Sequence, residues 1–462
     1  MNDTGVFDLA VIGSGGAAMA AAIAARRAGK TVVLIEQDTL GGTCVNIGCV
    51  PSKTLLAAAG ARHSALSNPF PGAPTSAGPV DLGALVGQKD ELVGRLRQAK
   101  YADVATAYGF EVRPGHARFT SEDTLVVNGQ PVAARAYLIA TGAEPADPAL
   151  PGLDEVDWLT STTAMEQTHL PESLVVIGGG YVGMEQAQLF AHLGSQVTLV
   201  GRLAPAAEPE VADALRAVFA DDAITVIEDR AVAVENTEGH VVVVTRSGQR
   251  ASGVRVLVAT GRSPRTASLD LDAAGVKTDE RGFVVVNEEQ ATSNPRIFAA
   301  GDVSGGPQYV YVAAATGRAA ALNATDAAGP RPAVVDYTGM PSVVFTRPQL
   351  GSAGLTEAQA LTAGHRCDCR VLSLSDVPRA LANRDTRGVV KLVADTDTGR
   401  LLGVHAAADG AGELMLAATY AIKARMTVDE IADTWAPYLT MAESLRIAAG
   451  LFRDEMPTSC CA

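Results

Sequence analysis

The hydrophobic pattern of this chain repeats one arrangement twice. An apolar run at 9–12 is followed by a glycine turn, an alanine-rich stretch to about 28 and a second apolar run at 31–35. Runs of that length bounded by glycine predict buried strands, and the longer stretch between them a helix, giving a βαβ unit. The same order returns with an apolar run at 174–177, glycines at 178–180, a helical stretch ending near Gly194 and an apolar run at 196–200. Two such units predict two nucleotide-binding folds, and so two nucleotides. Between them, 68–79 is rich in Pro, Gly, Ala and Ser and reads as a loop, and 82–107 reads as a helix facing partly outward. Boundaries are expected at 145–151 and at Pro330-Arg331-Pro332. Beyond the second, strand-like runs at 342–345, 389–393 and 401–405 alternate with helical stretches such as 411–424.

Bulk properties narrow the class. A chain of 462 residues that is 47% hydrophobic can fill several cores, so a multidomain α/β protein is expected. Its formal charge of −14 sets up a field that repels nucleic acid and anionic membranes, and neither is expected as a partner. No basic leader opens the sequence, and the apolar run 16–25 is cut off by Arg26-Arg27, which predicts neither signal peptide nor membrane span, and hence a cytoplasmic protein. Six cysteines are too few for a disulfide scaffold of this size. They fall as Cys44/Cys49, Cys367/Cys369 and Cys460/Cys461, which points to redox or metal chemistry.

Gly13-x-Gly15-x-x-Ala18 stands between predicted strand and helix, with Glu36 at the end of the next strand. Gly13 makes the tight turn, Gly15 lets backbone approach a pyrophosphate, Ala18 allows close helix–strand packing, and Glu36 can bind a ribose diol. The bland alternative is a tight turn without a ligand. In the second unit, Gly178-x-Gly180-x-x-Gly183 has no acid at the corresponding strand end; Gly201 stands there and Arg202 follows. An arginine suits a 2′-phosphate, so the second nucleotide is read as NADPH, with a solvated surface charge as the alternative.

The stretch from Gly41 to Lys53, with Cys44 and Cys49 five residues apart, is the most specific signal. In a regular α-helix such residues lie roughly 8–9 Å apart at Cα, whereas a disulfide tolerates at most about 7 Å. The helix start must therefore be distorted, which Gly48 and Pro51 permit, and a helix N-terminus lowers thiol pKa so that one cysteine persists as thiolate. A switchable dithiol follows; two structural thiols or a zinc site are the alternatives, the latter lacking a second Cys or His pair at zinc spacing. For Cys367-x-Cys369 the expectation is one core and one surface thiol, or an auxiliary metal contact. His116 and His405 are read as structural.

With Ala140-Thr141-Gly142, Ala259-Thr260-Gly261-Arg262 and Ala300-Gly301-Asp302 added, the chain resembles, over nearly its whole length, the pyridine nucleotide–disulfide oxidoreductases, among them the glutathione, dihydrolipoamide and mercuric-ion enzymes. The resemblance implies two Rossmann-like domains, binding FAD (1–148 with 263–331) and NADPH (149–262), and a C-terminal α+β dimerisation domain (332–462). It implies that Asp302 binds the flavin ribityl chain, that Gly13, Gly15, Gly16, Ala18, Glu36, Gly42, Thr43, Lys53, Thr141 and Gly142 complete the FAD site, and that Gly178, Gly180, Gly183, Arg202 and Gly261 serve NADPH. It further implies a Lys53–Glu185 ion pair near flavin N5, Tyr181 at the nicotinamide, Cys49 against the flavin and Cys44 toward substrate.

Disulfide-reducing members carry His-Pro near the C-terminus with Glu five residues after the His; here the segment is Pro437-Tyr438-Leu439-Thr440-Met441-Ala442-Glu443. A phenol, with an unperturbed pKa of roughly 10, is a poor proton shuttle at neutral pH, which disfavours organic disulfides, whereas a metal ion needs no proton delivered to a leaving sulfur. Adjacent Cys460-Cys461 supply soft ligands. That tail, the 437–441 segment and 377–383 are similar to the mercuric-reductase branch, whose frequent extra N-terminal Cys-x-x-Cys domain this sequence is expected to lack. The resemblance implies NADPH-driven reduction of Hg(II), delivered as thiol complexes by Cys460 and Cys461 of a homodimer partner to Cys44 and Cys49, with Tyr181 and Tyr438 bordering the site. A thioredoxin reductase-like enzyme with a Cys-Cys relay, or a flavoprotein that binds metal without turnover, are the alternatives.

Overall fold

The computed structural model describes residues 5–237 and 239–453, and places both predicted nucleotide-binding folds in separate compact units. The first unit draws on Met1–Thr54, Ala84–Asp147 and Gly261–Asp336. Its parallel sheet runs in the order Ile297–Ala299, Ala134–Ile139, Phe7–Ile12, Val32–Glu36, Glu111–Pro114. Both faces are covered, so the strands are apolar throughout; Leu9, Ala10 and Val11 are all fully buried. The helix Gly16–Arg27 packs on Val310–Ala324 through small residues, and a Cβ on Gly317 would overlap the Ala17 carbonyl oxygen. Overpacking of that kind costs about 1–3 kcal/mol, so glycine is the residue that lets the two helices approach. A three-stranded antiparallel sheet of Ala117–Ser121, Thr124–Val127 and Gln130–Val132 caps the opposite face through Phe119 and Leu125.

The second unit combines Leu55–Gly83, Pro148–Thr260 and Tyr337–Ala462. It holds a second parallel sheet, ordered Thr225–Ile227, Gln196–Val200, Ser173–Ile177, Arg255–Val258, Trp158–Leu159. It also holds an antiparallel sheet in the order Pro341–Val344, Gln349–Gly354, Leu401–Ala408, Val389–Asp395, Cys367–Ser373. One face of that antiparallel sheet is closed by the helices Ala411–Lys423 and Glu443–Gly450 over a core of Leu372, Val390, Leu392, Val404 and Ala406.

Two local readings are refined. The helix expected at 82–107 is Leu82–Arg97 followed by a π-helical turn at Gln98–Ala102 and a short helix Asp103–Tyr108. The distortion predicted around the dithiol is a break: helix Gly42–Asn46 ends at Ile47, whose φ of −139° is not helical, and a new helix begins at Cys49. Gly48 sits in the gap, where a Cβ would stand 2.9 Å from the Thr43 carbonyl oxygen. No helix among the described residues is long and apolar enough to cross a membrane.

Candidate functional site

In the first unit, three glycines expose bare backbone at one helix N-terminus. Gly13 has φ +108°, and a Cβ there would collide with the Ala140 carbonyl. Gly15 is the N-cap of the helix Gly16–Arg27, and Gly42 lies against it so closely that a Cβ on Gly42 would stand 2.5 Å from the Gly15 Cα. Thr43 follows Gly42 in the short helix, while Ala18 and Gly16 belong to the longer one. Backbone N–H groups and the helix dipole thus face a surface that a side chain would obstruct, which suits a pyrophosphate. Glu36 ends its strand as expected; its carboxylate accepts from the Ser14 hydroxyl and from the Asp38 amide at 2.9 Å.

Across the sheet ends, Asp302 and Arg262 form a loose pair at 3.9 Å, and the buried Arg262 Nε makes no hydrogen bond among the described residues. Burial pushes the Asp302 carboxyl up, opposed by the charge of Arg262, and burial pushes the guanidinium down. A half-buried carboxylate with an unsatisfied donor beside it is a polar edge suited to ligand hydroxyls. Thr141 donates to the Arg265 carbonyl at 2.7 Å, and Gly142 turns the chain with φ +72°. The residues present therefore fit a flavin dinucleotide.

The same unit holds the dithiol. Cys44 is half-buried and Cys49, the first residue of Cys49–Leu66, is exposed. The thiols are hydrogen-bonded to each other; that bond, then burial, then the charge of Cys49 push the Cys44 thiol well above its usual range, with Lys53 pulling the other way. Cys49 opens its helix and Lys53 follows one turn on, so the helix dipole and an ammonium both favour negative charge on the pair. Tyr101, which sequence reasoning passed over, sits beside both thiols: burial, then Cys44 and Cys49, push its phenol up to about 12. It occupies the π-helical turn, a feature frequent at functional sites.

In the second unit, Gly178 has φ +116° and a Cβ there would strike the Ala259 carbonyl; on Gly183 it would overlap the Gly178 carbonyl oxygen. Gly180, the N-cap of helix Tyr181–Leu193, differs: nothing lies within 4 Å of its Cβ position. Arg202 is exposed just beyond the strand Gln196–Val200, as a 2′-phosphate ligand requires. Tyr181 opens the helix, and Glu185, buried within it, accepts from the Phe345 amide at 2.9 Å. Gly261, with φ +146°, and Lys53 belong to the first unit. Tyr438 is about half exposed, Glu443 is buried, and Glu443 Oε2 has no hydrogen-bond partner among the described residues. Cys460 and Cys461 lie outside the described residues.

A partly buried cluster of His63, His192 and Asp222 has metal-like spacing, with ligand atoms within 4.8 Å of one another. Its imidazoles are stacked, 3.8 Å apart and 19° from parallel, so both lone pairs cannot aim at one ion. Arg387 also stands 3.9 Å from the carboxylate, and the cluster reads as a hydrogen-bonded brace. His405, expected to be structural, is buried between the Ser352 hydroxyl at 2.8 Å and the Leu355 carbonyl at 2.9 Å.

Comparison with known proteins agrees with this geometry. Residues 7–317 match the pyridine nucleotide-disulphide oxidoreductase profile, and 340–449 match the dimerisation domain of the same family. A mercuric reductase of Streptomyces lividans is 51% identical, the match covering 99% of this chain and 98% of that one. One from Staphylococcus aureus is 45% identical over 100% of this chain and 85% of its own. The HOCl-induced flavoprotein disulfide reductase RclA of Escherichia coli superposes with a TM-score of 0.86 at 30% identity, covering 96% of this chain and 100% of that one. With two nucleotide folds, a dithiol and matches along nearly its full length, the chain belongs to the pyridine nucleotide-disulphide oxidoreductases.

Proposed function

We propose that this protein reduces Hg(II) to Hg(0) with NADPH, using FAD and the Cys44/Cys49 pair. The observation that carries the reading is the dithiol at a helix break, one sulfur exposed and one half-buried, in a chain half identical to a mercuric reductase. Division into an FAD domain (1–148 and 263–331), an NADPH domain (149–262) and a dimerisation domain (332–462) goes with it, as do a homodimer and a cytoplasmic location.

Gly13, Gly15, Gly16, Ala18, Gly42 and Thr43 would hold the FAD pyrophosphate, Glu36 the ribose, and Asp302, Thr141 and Gly142 the rest of that cofactor. Gly178, Gly180, Gly183, Gly261 and Arg202 would hold NADPH, with Tyr181 at its nicotinamide, and Lys53 and Glu185 would serve the flavin near N5. Bound together, the two cofactors supply electrons in pairs.

The chain's own residues do the rest. Cys44, on the substrate side, and Cys49, on the flavin side, take the soft ion by ligand exchange, so that sulfur never releases Hg(II) into water. Each thiol loses its proton to solvent as it becomes a ligand. Tyr101, held neutral, can donate to a thiolate without adding charge to the site. Cys460 and Cys461 of a partner, with Tyr438, would hand the ion over. The balance is NADPH + Hg(II) → NADP⁺ + H⁺ + Hg(0).

A disulfide reductase is the competing reading. It requires a proton donor to the leaving thiolate, and the segment that bears the family's imidazole carries Tyr438 instead. The discriminating test compares NADPH oxidation with HgCl2 in excess small thiol against oxidation with glutathione disulfide or an oxidised protein disulfide. Turnover with mercury alone is expected, and faster turnover with a disulfide would overturn the proposal.

A further inference from the structure

Cys367 and Cys369 lie outside the site described above, and the expectation of one core and one surface thiol is corrected by the structure. Both belong to Cys367–Ser373, the edge strand of the antiparallel sheet, and both are half-buried. Strand side chains alternate with period two, so residues two apart share a face. Asp368, Arg370 and Leu372 take the other face, where Leu372 is in the core and Arg370 binds the Leu451 carbonyl at 3.2 Å.

The shared face of the two thiols carries a polar cluster. The Cys369 thiol is hydrogen-bonded to Glu357, the first residue of helix Glu357–Thr362. Glu357 is held in turn by the buried Lys391 ammonium at 2.8 Å, which also pairs with Glu208 and Glu210, each at 3.0 Å. Val371, next on the face, is 40% exposed, so the edge is open to solvent. The spacing rules out one fate for the pair. Positions two apart on a strand are separated by roughly 6.5 Å, whereas a disulfide needs Cβ atoms about 3.5–4.5 Å apart. The gap is too wide for a bond between the sulfurs and leaves room for one ion between them.

We propose that Cys367 and Cys369 form a second soft-metal site, which chelates one thiophilic cation such as Hg(II) between two thiolates. Two S–H bonds break and two S–metal bonds form. Both thiol protons are released to water as the metal binds. Nothing is oxidised or reduced. The proposal concerns binding alone and does not rest on Hg(II) reduction.

The test compares the full-length flavin-loaded protein with the Cys367→Ser/Cys369→Ser variant. Both are saturated with HgCl2 without NADPH, challenged with excess glutathione, gel-filtered and assayed for mercury per chain and thiols titrated. The variant should retain one Hg(II) fewer per chain and keep its flavin and its NADPH-dependent turnover. Each single variant should lose the same ion, because removing one arm of a chelate weakens retention by roughly 100-fold or more. Equal retention in parent and double variant, or a difference of two ions with one lost in each single variant, would overturn the chelate. Should the serine variants fail to hold flavin, Cys367→Ala and Cys369→Ala replace them, and retention of the ion in either would refute the chelate.

Discussion

Gly180 and Gly183 are both glycines of one motif, yet a Cβ would meet open space at the first and backbone at the second, and alanine at each should separate nucleotide binding from folding. At Gly183 an added Cβ would sit on the Gly178 carbonyl oxygen, far inside the 3.0 Å that real Cβ atoms respect, and both partners are backbone. Relief requires moving the helix Tyr181–Leu193 off the strand Ser173–Ile177, so the cost should reach or exceed the upper end of the usual overpacking range, about 3 kcal/mol. At Gly180, φ is −76° and the Cβ position is open to 4 Å. Alanine there gains about 0.4–1 kcal/mol by stiffening the unfolded chain and gives up a similar amount as a poorer N-cap. The net effect on folding should be near zero. What the methyl obstructs is the approach of a phosphate to the helix N-terminus. Losing one charge-assisted hydrogen bond costs about 1.5–3 kcal/mol, or roughly 10- to 100-fold in affinity. The assay is thermal unfolding of the flavin-loaded protein alongside KM for NADPH. Gly180→Ala should hold Tm and raise KM; Gly183→Ala should lower Tm. A Gly180→Ala protein with unchanged KM, or a Gly183→Ala protein with unchanged Tm, would refute the reasoning.

Three further outcomes are expected. Lys391→Met strands the buried Glu208 carboxylate beside Glu210 and Glu357, and denaturant titration should show a loss of about 3–5 kcal/mol; a loss under 1 kcal/mol would mean the network is solvent-screened. His63 is pushed down to about 4, by burial first and then by His192, Arg347 and Arg387 against Asp222. The unfolded ring, with a pKa near 6.5, takes a proton that the native ring refuses, so stability falls as pH drops from about 6.5 towards 4. Discounted for partial solvent access, the effect is on the order of 2 kcal/mol, and His63→Gln should flatten that part of the pH–stability curve. Arg202→Glu should cut the preference for NADPH over NADH by roughly 10- to 100-fold in kcat/KM, the worth of a charge-assisted contact to the 2′-phosphate.

Local pattern carried the parts of this molecule in which neighbours in sequence are neighbours in space. The two βαβ units, their glycines and the break between Cys44 and Cys49 all follow from spacing over a few residues, and the structure shows each. Tyr101 was not legible because it reaches the dithiol from a helix some fifty residues downstream, and its π-helical turn leaves no periodic mark. Tyr181 was named only through the family resemblance, which places it at the nicotinamide. The Lys391 network joins residues from 208 to 391, and the His63–His192–Asp222 brace spans three elements; neither spacing has a sequence signature. The Cys367/Cys369 pair was legible in principle, since a strand's period of two already places both thiols on one face.

The central claim is that electrons from NADPH reach mercury through Cys44 and Cys49. The measurement that tests it most directly is NADPH oxidation at 340 nm by the purified yellow protein with HgCl2 and excess thiol, with evolved mercury vapour trapped and quantified. One Hg(0) per NADPH, abolished by Cys44→Ser while flavin and fold are retained, is the predicted result. NADPH consumption without vapour, or vapour undiminished in Cys44→Ser, would contradict the account.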